Sequence, residues 1–233
     1  MNILATLWTL LKIKRIIDPG SRTEKIKNYG YLSPILGMKS LLPFSNNASF
    51  LSTLLVLSLL FPAVTSAQKE ETLWSEFLEG QAVALLRHAT APGLGDPEGF
   101  RIEECSTQRN LSKEGRDQAR RIGDFFRKKG VQQASVYSSQ WCRCLETARL
   151  LNVGKVNELP ALNSFFQDSA PERKQTMEIR QFITSLPAGR PVIMVTHQVN
   201  ITALTGVIPS SGEIVIFQLR QPRQANVLGR FKP

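Results

Sequence analysis

Both histidines of the chain follow short apolar segments that are typical of buried strands. His88 comes after the run AVALL and Arg87, and His197 comes after the run PVIMV and a threonine. A neutral imidazole is a competent nucleophile, and a neighbouring guanidinium can bind phosphoryl oxygens. The two motifs therefore indicate phosphoryl-transfer chemistry, and the alternative for each histidine is a satisfied core residue.

A third polar cluster, SSQWCRC, follows another strand-like segment. Arg143 lies in this cluster near the start of a predicted helix, where backbone N–H groups and the helix dipole favour an anion. Ligands bind at the carboxyl ends of parallel strands. We therefore expect Arg143 to meet the two histidines at one edge of a sheet, and a simple helix cap is the alternative for this motif.

Strand and helix patterns alternate along the region that carries these motifs. The predicted strands are 82–86, 134–137, 191–195, 213–219 and 226–230, and the predicted helices are 113–129, 141–151, 171–186 and a short one after His197. Such alternation is typical of a sheet covered on both faces. The predicted fold class is α/β, a three-layer α/β/α sandwich with a mostly parallel central sheet.

The first 67 residues have the pattern of an export segment. The apolar run 50–61 is shorter than the roughly 20 residues of a membrane-spanning helix, and small residues follow it. We expect cleavage after Ala67 and one domain over residues 68–233, in a periplasmic or secreted protein. An uncleaved membrane anchor through 50–61 and a buried core helix are the alternatives.

A second methionine explains the unusual length of this segment. A signal peptide that starts at Met38 has the usual order of basic start, apolar middle and small-residue end. Residues 1–37 are therefore interpreted as an upstream extension.

The charge balance indicates which partners to expect. The formal net charge is +10, and the 22 basic and 17 acidic side chains after Ala67 leave +5 on the predicted domain. Basic side chains are not clustered with aromatic ones, as nucleic-acid binding would require. We expect a small anionic, phosphorylated substrate and no nucleic acid.

Three cysteines follow the predicted cleavage site, where a disulfide can persist. Because Cys142 and Cys144 are poorly placed to pair with each other, Cys105 is expected to pair with one of them. The chain has no CxxC pair and no histidine beyond those above, so we expect no metal or organic cofactor.

Four segments together resemble the histidine phosphatase superfamily, the phosphoglycerate-mutase-like proteins. LLRHAT is similar to the strand-ending Arg-His-Gly motif, with Ala89 where glycine is usual, and LSKEGRDQA resembles the entry to the first helix. SSQWCRCLETA has the Ser-Ser, Arg and Thr-Ala spacing, and VTHQVNITAL resembles the second histidine motif. The likeness spans about residues 82–219.

The resemblance implies a phosphatase in which His88 becomes phosphohistidine. The phosphoryl oxygens would be bound by Arg87, Arg143 and His197. Export favours hydrolysis over mutase action, and the compact chain is similar to lipopolysaccharide core heptose phosphate phosphatases, which implies a cell-envelope sugar phosphate. A phosphomutase and a catalytically inactive phosphate- or glycan-binding protein are the alternatives.

The general acid is not given by the resemblance. One branch has a glutamate near the position of Ser164, and the other has its acid directly after the second histidine, where this chain has Gln198. Among the loop carboxylates Asp96, Glu104 and Asp168, we predict Asp168 as the proton donor.

Three residues after His88 are further predicted contacts to substrate. They are Thr90, Arg101 and Arg109. The two arginines could equally be surface charges.

Overall fold

A six-stranded mixed sheet is the centre of the part of the chain that the computed structural model describes, residues 65–221 and 224–233. Its strands are β1 (Val83–Arg87), β2 (Ser135–Ser138), β3 (Val156–Glu158), β4 (Val192–Thr196), β5 (Ile214–Gln221) and β6 (Gln224–Phe231). The order across the sheet is β3-β2-β4-β1-β5-β6. The first four of these strands are parallel, and β5 and β6 are added antiparallel at one edge.

Five α-helices connect or flank these strands. They are α1 (Ser66–Leu78), α2 (Lys113–Lys128), α3 (Cys142–Leu151), α4 (Glu172–Ser185) and α5 (Gln198–Thr205). Two short 3₁₀ turns, Cys105–Thr107 and Pro160–Leu162, lie in the loops after β1 and β3. The three helices predicted with stated bounds are confirmed, and each of their ends lies within one residue of the predicted end. Helix α1 and the short strand β3 were not predicted.

The alternation of side chains along each strand produces the three layers. Leu86 and Ile193 point to the face that packs against α1, α2 and α3. Leu85 and Met194 point to the opposite face and pack against α4 and α5. The predicted three-layer sandwich with a mostly parallel sheet is therefore confirmed.

Helix α1 runs across the predicted cleavage position. Thr65 caps it, because the Thr65 side chain accepts a hydrogen bond from the backbone of Gln68 and the Gln68 side chain accepts one in return. The residues that this helix buries, Leu73, Trp74 and Phe77, all lie after Ala67. Within the described ranges, no helix has the length and apolar character needed to cross a membrane. The apolar run 50–61 and residues 1–37 lie outside those ranges, so the signal peptide stays a prediction.

Gly115 in the first turn of α2 allows a close approach to the segment after β1. A Cβ atom at this position would lie 2.0 Å from the carbonyl oxygen of Thr90. The glycine in LSKEG therefore brings α2 directly against the chain that leaves His88.

Candidate active site

The carboxyl ends of β1, β2 and β4 meet at a cavity of about 310 Å³. His88 directly follows β1, His197 directly follows β4, and Arg143 lies in the first turn of α3, which follows β2. These three residues are only 2–3% exposed, and the ring centroids of the two histidines are 5.5 Å apart. Together with Arg87, they line the same cavity, as the strand-end argument predicted.

A backbone hydrogen bond fixes which nitrogen of His88 can react. Its Nδ1 lies 2.8 Å from the carbonyl oxygen of Ala89. Because a carbonyl oxygen can only accept, Nδ1 carries the proton and Nε2 holds a free lone pair. Nε2 is therefore the nitrogen of His88 that is free to act as a nucleophile.

The surroundings of His88 keep its imidazole neutral. Burial lowers the pKa of His88 to about 3, and the positive charge of Arg143 contributes further, with smaller contributions from Arg109 and Arg87. The hydrogen bond to Ala89 opposes this shift without outweighing it. His88 is thus unprotonated, and competent as a nucleophile, at any ordinary pH.

His197 is held by a chain of hydrogen bonds. Its Nδ1 lies 3.5 Å from Nη2 of Arg143, which can only donate, so Nε2 carries the proton and donates to Ser139 Oγ at 2.9 Å. Ser139 donates in turn to Oδ1 of Asn163 at 3.2 Å. Burial, followed by the influence of His88 and Arg143, holds the pKa of His197 well below its ordinary value. His197 is therefore a neutral, oriented group beside the nucleophile.

Arg143 forms a buried, two-pronged ion pair with Asp96. Its Nη1 and Nη2 lie 2.5 and 3.1 Å from the two carboxylate oxygens, and both side chains are at most 4% exposed. Asp96 also accepts a hydrogen bond from the Trp141 indole at 3.0 Å. Burial would raise the pKa of Asp96, but these hydrogen bonds and the charge of Arg143 hold it below its ordinary value. The loop after β1 thereby fixes the orientation of the Arg143 guanidinium.

Two arginines at the cavity have buried donors without a partner. The Nε groups of Arg87 and Arg143 are inaccessible to solvent and form no hydrogen bond within the described ranges. A buried, unpaired cationic donor is costly, and an anion that accepts from it removes that cost. Arg109 also lines the cavity, while its guanidinium donates to the carbonyl oxygens of Ala91 and Gly95. The arrangement favours a phosphoryl dianion.

Alanine is accommodated at position 89, where the resembling family usually has glycine. Asn152 has the only positive φ among the non-glycine residues described, so the backbone of Ala89 needs no glycine. The Ala89 side chain is fully buried against Leu111 and Ala119. Its N–H donates to Oγ1 of Thr147 at 3.1 Å, which ties the end of β1 to α3.

The predicted substrate contacts Thr90 and Arg101 do not line this cavity. The hydroxyl and N–H of Thr90 both donate to the Gln118 side chain, because the approach of α2 turns this segment away. Arg101 is exposed and paired with Glu104, so it is the surface charge that the alternative described. These two predicted contacts find no support in the structure.

The loop before α4 brings polar residues to the other side of the cavity. Ser164 and Asp168 line it, and Gln198 approaches from the start of α5. Asp168 is exposed and accepts a hydrogen bond from the N–H of Ala170 at 2.9 Å. Asp96 and Asp168 are thus the two carboxylates among the described cavity residues.

A disulfide between Cys105 and Cys142 closes the loop after β1 onto the start of α3. The third cysteine, Cys144, is buried, and its sulfur lies 3.4 Å from Nε2 of His197. Burial raises the pKa of Cys144 to about 12, so it remains a neutral thiol and is not a nucleophile. The sequence left two partners open for Cys105, namely Cys142 and Cys144. The structure has the pairing with Cys142, which directly precedes Arg143.

Four residues that hold the site together were not predicted as such. They are Phe100, Gln108, Trp141 and Asn163. Gln108 accepts a hydrogen bond from the N–H of Cys142, and Asn163 accepts one from the Ser139 hydroxyl. Phe100 stacks on Trp141 with ring centroids 5.1 Å apart. Because Trp141 and Cys142 already use their N–H groups, the helix start offers fewer free donors to an anion than expected. A motif search cannot find such residues, because their partners are distant in sequence.

Comparisons with known proteins agree with the motif analysis. A sequence model of the histidine phosphatase superfamily (branch 1) matches residues 83–166. None of the curated proteins matches the chain.

Solved structures similar to this chain include two phosphatases and the product of an open reading frame. The protein histidine phosphatase SixA complexed with tungstate is 14% identical, over 65% of this chain and 96% of that one, with a TM-score of 0.48. A mycobacterial glucosyl-3-phosphoglycerate phosphatase complexed with VO₃ is 16% identical, over 63% and 97%, with a TM-score of 0.44. The product of a Mycobacterium tuberculosis open reading frame is 20% identical, over 64% and 97%, with a TM-score of 0.47.

The region matched by the family model contains the strand that leads to His88, the loop after it and the helix that carries Arg143. Through these residues, which make up about a third of the chain, the protein is similar to the histidine phosphatase superfamily (branch 1).

Proposed function

We propose that the domain is a phosphomonoester hydrolase that acts through a phosphohistidine on His88. The observation that carries this proposal is a buried, neutral imidazole whose Nδ1 is tied to Ala89 and whose other nitrogen is free beside Arg143. The match of residues 83–166 to the histidine phosphatase superfamily supports the same chemistry.

In the first step, the lone pair of Nε2 forms a bond to phosphorus as the ester P–O bond breaks. The imidazole of the resulting phosphohistidine is positively charged, and its Nδ1–H donates to the Ala89 carbonyl oxygen, which stabilises that charge. In the second step, water attacks phosphorus and gives a proton back to the group that protonated the leaving alcohol, the P–N bond breaks, and inorganic phosphate leaves with His88 restored.

The arginines would stabilise the phosphoryl group through both steps. Arg87, Arg109 and Arg143 line the cavity with Asp96 and Asp168, so the formal charge is about +1, or about +2 when Asp168 carries the proton for the leaving group, and it faces a dianionic monoester. Charge on a transferring phosphoryl group is spread over its oxygens, so positioned guanidinium donors accelerate the transfer. His197 would bind the same oxygens as a donor, by turning its Nε2–H from Ser139 to one of them.

Asp168 is the proposed proton donor to the leaving alcohol. Asp96 is committed to Arg143 and Trp141, and Glu104 pairs with Arg101 away from the cavity. Ser164 and Gln198 cannot act as acids. Asp168 is therefore the cavity carboxylate that is free to approach the ester oxygen.

We further propose that the protein is exported and acts on a cell-envelope sugar phosphate. The disulfide between Cys105 and Cys142 supports an oxidising compartment. The envelope substrate rests on the resemblance to heptose phosphate phosphatases.

Phosphate release by the full-length protein tests the activity, with p-nitrophenyl phosphate and a sugar phosphate as substrates. We expect His88→Ala to abolish release from both. Asp168→Asn should lower kcat on the sugar phosphate by about 10²-fold or more, and much less on p-nitrophenyl phosphate, whose leaving group needs no proton. Glu104→Gln is the matched control and should leave both rates unchanged.

Two other results would contradict the proposal and favour a different function. Vanadate binding without phosphate release from any ester would favour the inactive binding protein. Transfer of the phosphoryl group between sugar positions, with little release, would favour a phosphomutase.

A further inference from the structure

The cavity extends beyond the groups that would hold a phosphoryl group. His88, Arg143 and His197 are nearly inaccessible and form its floor, whereas Leu94 is 88% exposed and Phe166 is 56% exposed at its mouth. Its volume of about 310 Å³ lies within the range of small-ligand pockets, about 300–1,000 Å³. There is room for part of the alcohol that carries the phosphate.

The exposed apolar side chains are concentrated at this mouth. Four large hydrophobic side chains are exposed in the described ranges, and two of them, Leu94 and Phe166, line this one cavity. Single exposed apolar residues are common on any protein surface. Here, however, the two come from separate loops, after β1 and before α4, and converge on one site.

The wall between floor and mouth continues the apolar surface. Trp141, Pro171 and Val199 also line the cavity, from the start of α3, the start of α4 and the start of α5. Water against such surface is displaced favourably by an apolar group. Polar side chains line the cavity beside this apolar surface: Ser164, Gln167, Asp168 and Gln198. The cationic floor and the apolar part of the wall together form an amphipathic pocket.

We propose that the site takes phosphomonoesters whose alcohol carries apolar surface next to the phosphate, with Leu94 and Phe166 contacting that surface. This inference rests on the proposed function, and it narrows the substrate class. A sugar phosphate that fits would carry an acyl, deoxy or other apolar substituent, whereas a sugar phosphate polar on every side would leave both side chains in water.

The probe is a series of n-alkylphosphonates from ethyl to hexyl, whose C–P bond is not hydrolysed, titrated into the full-length protein by calorimetry. The head group and its charge are constant along the series, so affinity differences report the alkyl contact. Full burial of a methylene corresponds to about fourfold in Kd (about 0.8 kcal/mol). We expect Kd to fall by twofold to fourfold per added methylene over the first carbons.

Matched variants locate the contact. In the Leu94→Asn, Phe166→Ser double variant, the hexyl-to-ethyl affinity ratio should fall towards one. Met177→Ser removes another exposed apolar side chain, 52% exposed on α4 and outside this cavity, and should leave the ratio unchanged. Equal Kd values along the series in the wild type, or an equal ratio in wild type and double variant, would overturn the inference.

Hydrolysis of the matching n-alkyl phosphates separates this inference from the proposed function. The alcohols of this series differ little in acidity, so the chemical step is constant. Chain-dependent phosphonate binding without hydrolysis of any ester would sink the phosphatase proposal and keep the apolar contact. Hydrolysis of the esters together with phosphonate affinities that do not depend on chain length would support the phosphatase proposal and overturn the apolar contact.

Discussion

At the scale of single residues, the protonation state of His88 is the property on which the proposed chemistry depends. The same burial that keeps the imidazole neutral also links its titration to the stability of the fold. In the unfolded chain His88 takes up a proton near its ordinary pKa of 6.5, whereas in the folded protein it does so only near pH 3. Between these values the unfolded state binds more protons, so the free energy of unfolding falls as the pH falls.

Urea unfolding at pH 7, 6, 5 and 4 measures this linkage. His88→Gln removes the titration, so the slope of the unfolding free energy against pH should be smaller than in the wild type below pH 6.5. The difference approaches about 1.4 kcal/mol per pH unit for this one group. Because the slope is the readout, a general loss of stability in the variant does not affect the comparison. Equal slopes would show that His88 takes up its proton at about the same pH in the folded protein as in the unfolded chain, and would contradict a neutral, buried imidazole at pH 5.

Asp96 is the second residue whose environment makes a sharp prediction. Because it fixes both Nη groups of Arg143, Asp96→Asn should misplace the guanidinium and lower kcat/KM by about 10- to 100-fold. It should also destabilise the fold by about 3–5 kcal/mol, since a buried charge loses its partner. Partial recovery of kcat/KM in Asp96→Glu, without recovery of stability, would mark a positioning role. Tighter inhibition by phosphate in Asp96→Asn would instead mean that the carboxylate competes with substrate.

The residues of the proposed phosphoryl site were predictable because each ends a strand, directly follows one or lies at the start of a helix. Arg87, His88 and His197 are adjacent to apolar runs that the sequence shows clearly. The role of Asp96 was not predictable, because its partner lies 47 residues away and only the folded loop joins them. Thr90 was misplaced for a related reason, since the close packing of α2 turns it towards Gln118.

At the scale of elements, the loop between β1 and α2 is the part that the site depends on most. It carries Asp96 and Arg109, and a disulfide, the side chain of Gln108 and the Phe100–Trp141 stack fasten it to the start of α3. A loop without strands or long helices needs such contacts to hold a side chain in place.

Removal of the disulfide tests this arrangement. Closing a loop of 37 residues contributes about 2–4 kcal/mol, so Cys105→Ser with Cys142→Ser should lower the free energy of unfolding by that amount. Activity should fall as well, because the loop then orients Arg143 less well. Unchanged kcat/KM in the double variant would show that the other contacts suffice.

Helix α1 and strand β3 show where pattern analysis of elements fails. The first residues of α1 have the small side chains of a cleavage site, and this interpretation hid the helix that begins at Ser66. Strand β3 has three residues at the sheet edge, too few for a period-two pattern to be visible. Both elements are recognised only from their partners, the core around Trp74 and the pairing with β2.

At the scale of the whole molecule, the order of the strands explains why the motifs converge. β1, β2 and β4 are neighbours and parallel, so three segments distant in sequence end at the same edge of the sheet. The alternation of strands and helices predicted this arrangement, whereas the antiparallel hairpin of β5 and β6 was predicted only as two strands. The topology thus places His88, His197 and the arginines in one cavity, although the chain supplies them from residues 87 to 197.

The central claim is that His88 carries the phosphoryl group during turnover. The most direct measurement is to mix full-length protein with p-nitrophenyl phosphate, quench in alkali within milliseconds and locate the phosphoryl group by mass spectrometry of the peptides. The account predicts one phosphoryl group on His88, stable in alkali and lost in acid, and none at that peptide in His88→Ala. Continued phosphate release with no phosphorylated His88, or with the group on another residue, would contradict it.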